Sequence, residues 1–157
     1  MAPAAEPGTR ASRTRRLRAV PEVHKVVGFA VVGTFAVGWI WGLGAWIAKR
    51  GPGERYWTWL AVAQVTAGIQ AILGVGLLLA GHRVVAGTSM QNSLHYVYGL
   101  LPLLLFVFAH IVARAGNASL VGFDPTRRIA SWVPFAWAAF ICFGLTTRAL
   151  MTGLGIG

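Results

Sequence analysis

Four long stretches of this chain contain no aspartate, glutamate, lysine or arginine, and this absence of charge constrains the fold more than any other feature. The stretches are 26–48, 57–81, 96–113 and 129–147. Each is about as long as the roughly 17–25 residues that a helix needs to cross a bilayer core. In lipid, backbone N–H and C=O groups find partners only within such a helix, and none of the stretches alternates as a membrane strand would. The sequence therefore predicts an all-α integral membrane protein with four transmembrane helices in an up-down bundle.

The predicted transmembrane domain covers residues 21–157 and is preceded by a tail. Its helices are expected at about 24–48, 56–81, 95–113 and 128–151. Pro21 precedes helix one at a position where its missing N–H costs nothing. Pro102 and Pro134 fall inside helices three and four, where each is expected to bend its helix. The connections are short, so successive helices should be antiparallel neighbours.

The net charge of +10 is first of all a signal of topology, because lysine and arginine accumulate on the cytoplasmic side of membranes. Five arginines lie in residues 1–20, at positions 10, 13, 15, 16 and 18. Counting these five, the N-terminal side of the predicted bundle carries eight basic residues and the opposite side carries six. Both termini are therefore predicted to be cytoplasmic, in a multi-pass protein of the cytoplasmic membrane.

The arginine-rich tail, residues 1–20, has too little apolar surface to fold alone and is predicted to be disordered. It is expected to rest on the anionic lipid bilayer and to bind no specific nucleic acid. Arg15 and Arg16 also fit a twin-arginine export signal, but the first apolar stretch is longer than the hydrophobic region of such a signal.

Three of the four histidines, His24, His82 and His95, lie at ends of apolar stretches that meet the same membrane edge. His24 and His95 are each followed four residues later by glycine, Gly28 and Gly99, on the same helix face. Two such faces, opposed across a four-helix bundle, would place one imidazole on each side of a flat porphyrin. The pattern predicts one b-type haem between helices one and three, with both histidines as metal ligands. The alternative is that they only pack at the interface.

Further polar residues are expected at the two membrane edges. Lys25, Arg83 and His82 would lie at headgroup depth, where they suit haem propionates, although His82 can also be read as an ordinary solvated residue. His110 follows His95 by fifteen residues and should lie at the opposite edge. We expect it to be a buried packing residue; a five-coordinate haem or a quinone contact is the alternative.

Electron transfer or haem handling, without independent catalytic activity, is the function that these residues favour. The lone Cys142 cannot form an internal disulfide, and no acidic residue lies in an apolar stretch to serve a proton relay. The alternative is a cofactor-free accessory or assembly subunit of a larger membrane complex, such as a respiratory one. Glycine and alanine faces, such as Gly38 and Gly42, would hold the helices together or bind a partner or second copy. A small-solute transporter is less favoured, because the chain lacks internal repeats.

Three segments of the chain resemble parts of a known family. Residues 64–69 (Gln-Val-Thr-Ala-Gly-Ile) and 95–99 (His-Tyr-Val-Tyr-Gly) resemble one helical pair of haem A synthase. Residues 22–25 (Glu-Val-His-Lys) are similar to the Glu-x-x-His-Arg of that family, with one residue fewer. The resemblance covers helices one to three and implies that His95 ligates haem b. That family has eight helices in two bundles and a ligated edge that faces outward, so this chain resembles one half of it. In size the chain is also similar to small actinobacterial four-helix membrane proteins.

Overall fold

The computed structural model describes residues 7–83, 88–116 and 129–156, with side chains from Pro21 onward. Within these residues the chain forms four α-helices: α1 Pro7–Ile47, α2 Glu54–Leu79, α3 Ser89–Ala115 and α4 Trp132–Gly153. Each contains a segment that is long and apolar enough to cross a membrane. The prediction of an all-helical chain with four apolar helices is confirmed.

The first helix begins earlier than the sequence predicted. Its backbone is helical from Pro7, and Pro21 lies inside it, whereas residues 1–20 were expected to be a disordered tail and the helix to begin near residue 24. Alanine and arginine, which are frequent in this segment, are good helix formers. Residues 1–6 lie outside the described residues, and the contact of the tail with lipid stays a prediction.

The starts of α3 and α4 also differ from the expected positions. Thr88 and Gln91 form a capping box: the Thr88 hydroxyl accepts from the Gln91 N–H at 3.3 Å, and Gln91 Oε1 accepts from the Thr88 N–H at 2.9 Å. This cap starts α3 at Ser89, within a polar segment that was expected to be a loop. Because α4 starts at Trp132, Pro134 lies in its first turn, where the missing N–H breaks no helical hydrogen bond.

The helices pack unevenly around the core. α4 packs against both α1 and α3, and α1 packs against α2, whereas α2 and α3 make far fewer contacts with each other. Two ring pairs join α1 to α3, namely Phe35 with Phe106, stacked at 5.5 Å, and His24 with His95. The seam between α2 and α3 is therefore the least closed part of the described structure.

Glycine permits the closest helix contact. A Cβ added at Gly42 of α1 would lie 2.7 Å from the Cβ of Ala136 on α4, and one added at Gly38 would lie 3.6 Å from Ala139 Cβ. The packing role expected of Gly38 and Gly42 is thus confirmed, because a larger residue at Gly42 would push α1 and α4 apart.

Candidate functional site

One end of the four helices surrounds a cavity of about 490 Å³, a size typical of ligand sites. All four helices and the residues that follow α2 contribute to its lining. The lining includes all six residues that the sequence selected for a cofactor site: His24, Gly28, His82, Arg83, His95 and Gly99. The fold therefore brings the six predicted residues together in one cavity.

His24 of α1 and His95 of α3 face each other in this cavity, with ring centres 6.4 Å apart and planes at 63°. A metal–imidazole bond is about 2 Å long. A five-membered ring with bonds of about 1.35 Å has its atoms about 1.1 Å from its centre. Two imidazoles on opposite sides of one metal ion therefore have centres roughly 6.2–6.4 Å apart. The observed separation fits one metal ion between the two rings.

Protein ligands beyond these two are lacking in the described residues, where no three histidine, cysteine, aspartate or glutamate side chains come together to hold a metal ion. Two imidazoles alone do not complete the coordination of a protein-bound transition metal. A macrocycle such as porphyrin would supply the equatorial nitrogens, so the residues present fit a haem better than a free metal ion.

His95 is held by α4 in the tautomer that binds a metal. Its Nδ1 lies 2.9 Å from the backbone carbonyl oxygen of Ala149. Because a carbonyl only accepts, Nδ1 carries the proton and Nε2 keeps its lone pair. Metal-ligating histidines commonly donate their other ring N–H in this way. Gly153 makes room for the ring, since an added Cβ would lie 3.2 Å from His95 Cε1.

His24 has a corresponding support on α2. A Cβ added at Gly74 would lie 3.2 Å from His24 Cε1, and the amide nitrogen of Gln70 lies 3.4 Å from His24 Nε2. Within the described part of the chain, His24 Nδ1 and Gln70 Oε1 are buried without a hydrogen-bond partner. Because an amide nitrogen only donates, His24 Nε2 accepts from Gln70 and Nδ1 carries the proton. Buried polar atoms are nearly always satisfied, so the Nδ1 N–H and Gln70 Oε1 mark where a bound polar group would find partners.

The two helical pairs thus support their histidines in the same way. In α1–α2 and in α3–α4, a histidine of the first helix packs against a glycine of the second and contacts the residue one turn before that glycine. Of these supports, Gln70 could be expected from the sequence as a polar residue able to bond across the bundle, whereas Gly74, Ala149 and Gly153 were missed. The two supporting residues of each histidine are four positions apart, and this spacing is visible in the sequence. Which histidine they contact depends on the register between helices.

Gly28 and Gly99, the two glycines predicted to leave space for a flat ring, differ in how close their neighbours lie. No described atom lies within 4 Å of a Cβ added at Gly99. A Cβ added at Gly28 would lie 3.2 Å from Gln70 Nε2 and 3.4 Å from Leu150 Cδ1. Both of these side chains line the cavity and have several rotatable bonds, so a ring beside Gly28 requires them to change rotamer.

The mouth of the cavity carries Lys25, His82 and Arg83, all exposed. Lys25 Nζ lies 3.7 Å from Glu22 Oε2, an exposed pair that contributes little to stability. Lys25 and Arg83 are therefore available to bind carboxylates of a ligand at this edge.

His110 lies at the other end of the helices and is exposed, so the expectation of a buried packing residue is wrong. Its ring stands nearly perpendicular to Phe135, with centres 4.7 Å apart. Since α2 and α3 are poorly closed, His110 borders a second cavity of about 380 Å³ between α2, α3 and Phe135.

Comparison with protein-family models, with curated proteins and with solved structures finds no match to this chain. The four candidate membrane-spanning helices indicate a multi-pass membrane protein. The likeness to haem A synthase stays an expectation from the sequence.

Proposed function

We propose that this protein is an up-down four-helix membrane bundle that binds one b-type haem between α1 and α3, for electron transfer or haem handling. The proposal rests on His24 and His95, whose ring centres lie 6.4 Å apart in a cavity that all four helices line. The up-down arrangement is supported by contacts that pair the start of the α1 apolar segment with late α2 and late α1 with early α2, as in His24 with Gly74 and Gly42 with Tyr56.

Each ligand would have its own positioning residue. His95 would bind iron through Nε2 while Ala149 accepts its Nδ1 proton, and His24 would bind through Nε2 once the Gln70 amide that donates to it has turned aside. A bound haem supplies one-electron oxidation and reduction. With both imidazoles holding the haem, little room would be left for a small substrate beside it. This arrangement favours electron transfer or haem transfer over catalysis.

Lys25 and Arg83 would bind the propionates at the cavity mouth, which would then lie at the membrane surface. The excess of basic residues on this side supports an orientation with this mouth and both termini at the cytoplasmic face of the cytoplasmic membrane.

Histidine variants test the proposal. The protein is expressed with haem supply, purified in detergent, and its Soret absorbance is measured per chain. His24→Ala and His95→Ala should each lose the band, because each removes an axial ligand. His110→Ala should keep it, since that ring lies in the second cavity. Retention of a full band in both His24→Ala and His95→Ala would refute the haem site.

The second candidate is a cofactor-free accessory or assembly subunit of a larger membrane complex. The open seam between α2 and α3 favours it, because Val65, Val107 and Ile111 are exposed on these helices and could pack against a partner helix or a second copy. Copurification of a stoichiometric membrane partner with colourless protein would support this candidate over the haem proposal.

A further inference from the structure

The second cavity is built differently from the histidine-lined one. It lies between the first half of α2 and the last part of α3, with Phe135 of α4 as its floor. Phe135 is only 4% exposed, whereas Val65 is 63% exposed and His110 is also exposed at the rim. Because α2 and α3 make few contacts, the cavity opens sideways, toward the region that lipid would occupy.

Three rings surround this space. Trp57 stands nearly perpendicular to Phe135, with ring centres 5.3 Å apart, and His110 stands nearly perpendicular to the same ring at 4.7 Å. Aromatic rings arranged in this way favour a flat unsaturated ring, through offset or edge-to-face contacts. The volume of about 380 Å³ is that of a small ligand or a headgroup.

Two polar side chains lie among these rings, Gln64 and His110. Gln64 Nε2 donates to the Leu60 carbonyl oxygen at 3.3 Å, which leaves the second hydrogen of its amide for another acceptor. The imidazole of His110 carries at least one N–H donor. Gln64 lies inside the apolar stretch 57–81, where a polar side chain is costly and is a reason to look for a function.

The charge of the lining restricts the ligand. Of the described residues that border the second cavity, none is lysine, arginine, aspartate or glutamate. A phosphate headgroup would be left without a counter-charge there, so a neutral ligand that accepts hydrogen bonds is favoured over a phospholipid.

We infer that the second cavity binds the headgroup of a quinone-class lipid, with Gln64 and His110 donating hydrogen bonds to its carbonyl oxygens between Trp57 and Phe135. A quinone combines a flat ring, two neutral acceptors and a lipid tail that leaves through the lateral opening. This site is separate from the proposed haem site and does not depend on it.

Binding of 2,3-dimethyl-1,4-naphthoquinone tests this inference. Both reactive ring positions of this probe are blocked, so it cannot alkylate Cys142. The full chain is placed in phospholipid nanodiscs and titrated by calorimetry, with empty nanodiscs as the correction for partitioning. We expect saturable binding of about one probe per chain. His110→Leu and Gln64→Leu should each weaken it about three- to tenfold, which corresponds to one hydrogen bond.

The chain offers a matched control and an independent variant. Thr66→Val removes a polar group from the same helix at a position that lines neither cavity, so it should leave probe binding unchanged. Val65→Trp fills the exposed rim without removing a donor and should block binding in a protein with wild-type helix content. Absence of saturable binding to the wild type would overturn the inference. Equal affinity of wild type, His110→Leu and Gln64→Leu, or an equal loss in Thr66→Val, would also overturn it.

Discussion

Replacing Gly42 by alanine tests how closely α1 and α4 approach each other. The new Cβ would lie 2.7 Å from Ala136 Cβ, 3.1 Å from Tyr56 Oη and 3.4 Å from Ala136 Cα. Carbon atoms prefer a separation of about 3.5–4.0 Å, so the first contact is about 1 Å too short. Because Ala136 Cβ is fixed to its backbone, no side-chain rotation relieves the clash, and a helix must move.

The size of the effect follows from two opposed contributions. Overpacking costs about 1–3 kcal/mol, and a contact about 1 Å too short against a backbone-fixed atom falls in the upper part of that range, about 2–3 kcal/mol. The higher helix propensity of alanine returns about 1 kcal/mol. We therefore expect Gly42→Ala to lower the free energy of unfolding by about 1–2 kcal/mol. Gly44 lies two residues further on the same helix, with no described atom within 4 Å of an added Cβ, so Gly44→Ala is the matched control.

Unfolding of the detergent-solubilised protein by increasing dodecyl sulfate, followed by circular dichroism, measures both variants. Gly42→Ala should unfold at a lower dodecyl sulfate fraction than wild type, and Gly44→Ala at an equal or higher one. Equal stability of the two variants would refute the close approach of α1 and α4.

Three further changes have expected outcomes of their own. Trp59→Phe removes the 2.9 Å hydrogen bond from the indole to α1 and should lower unfolding free energy by about 0.6–1.7 kcal/mol in the same assay, whereas Trp46→Phe, at an exposed position, should not. Thr88→Ala removes the N-cap of α3, and hydrogen exchange should show faster amide exchange in its first turn, corresponding to about 1 kcal/mol. Gly153→Ala presses a methyl group on His95 and should weaken haem binding by the apoprotein roughly fivefold or more, a cost of about 1 kcal/mol or above; an unchanged haem titration would speak against this contact.

The helices could be predicted from the sequence where they coincide with stretches that lack charged residues. The charge-free stretches identify all four helices, because in lipid only a helix satisfies such a backbone. The start of α3 was missed because four of the six residues 89–94 are polar. Thr88 and Gln91 carried the available signal, a capping box at the correct spacing.

The candidate site was predictable in part. His24 and His95 were placed at one end because both lie near the same predicted membrane edge, and the structure puts them in one cavity. Their supports, Gly74 and Gly153, were not predictable. Which glycine of one helix faces a histidine of another depends on the register between the helices, and that register is set by the packing of small apolar residues in three dimensions. The exposure of His110 was missed for a similar reason: apolar patterning does not reveal that α2 and α3 close poorly.

A reduced-minus-oxidised visible spectrum of the purified protein, expressed with haem supply and quantified as haem per chain, tests the central claim most directly. Two imidazole ligands predict a sharp b-type α-band at about one haem per chain. A colourless protein with full helix content would contradict the account and leave His24 and His95 as packing residues.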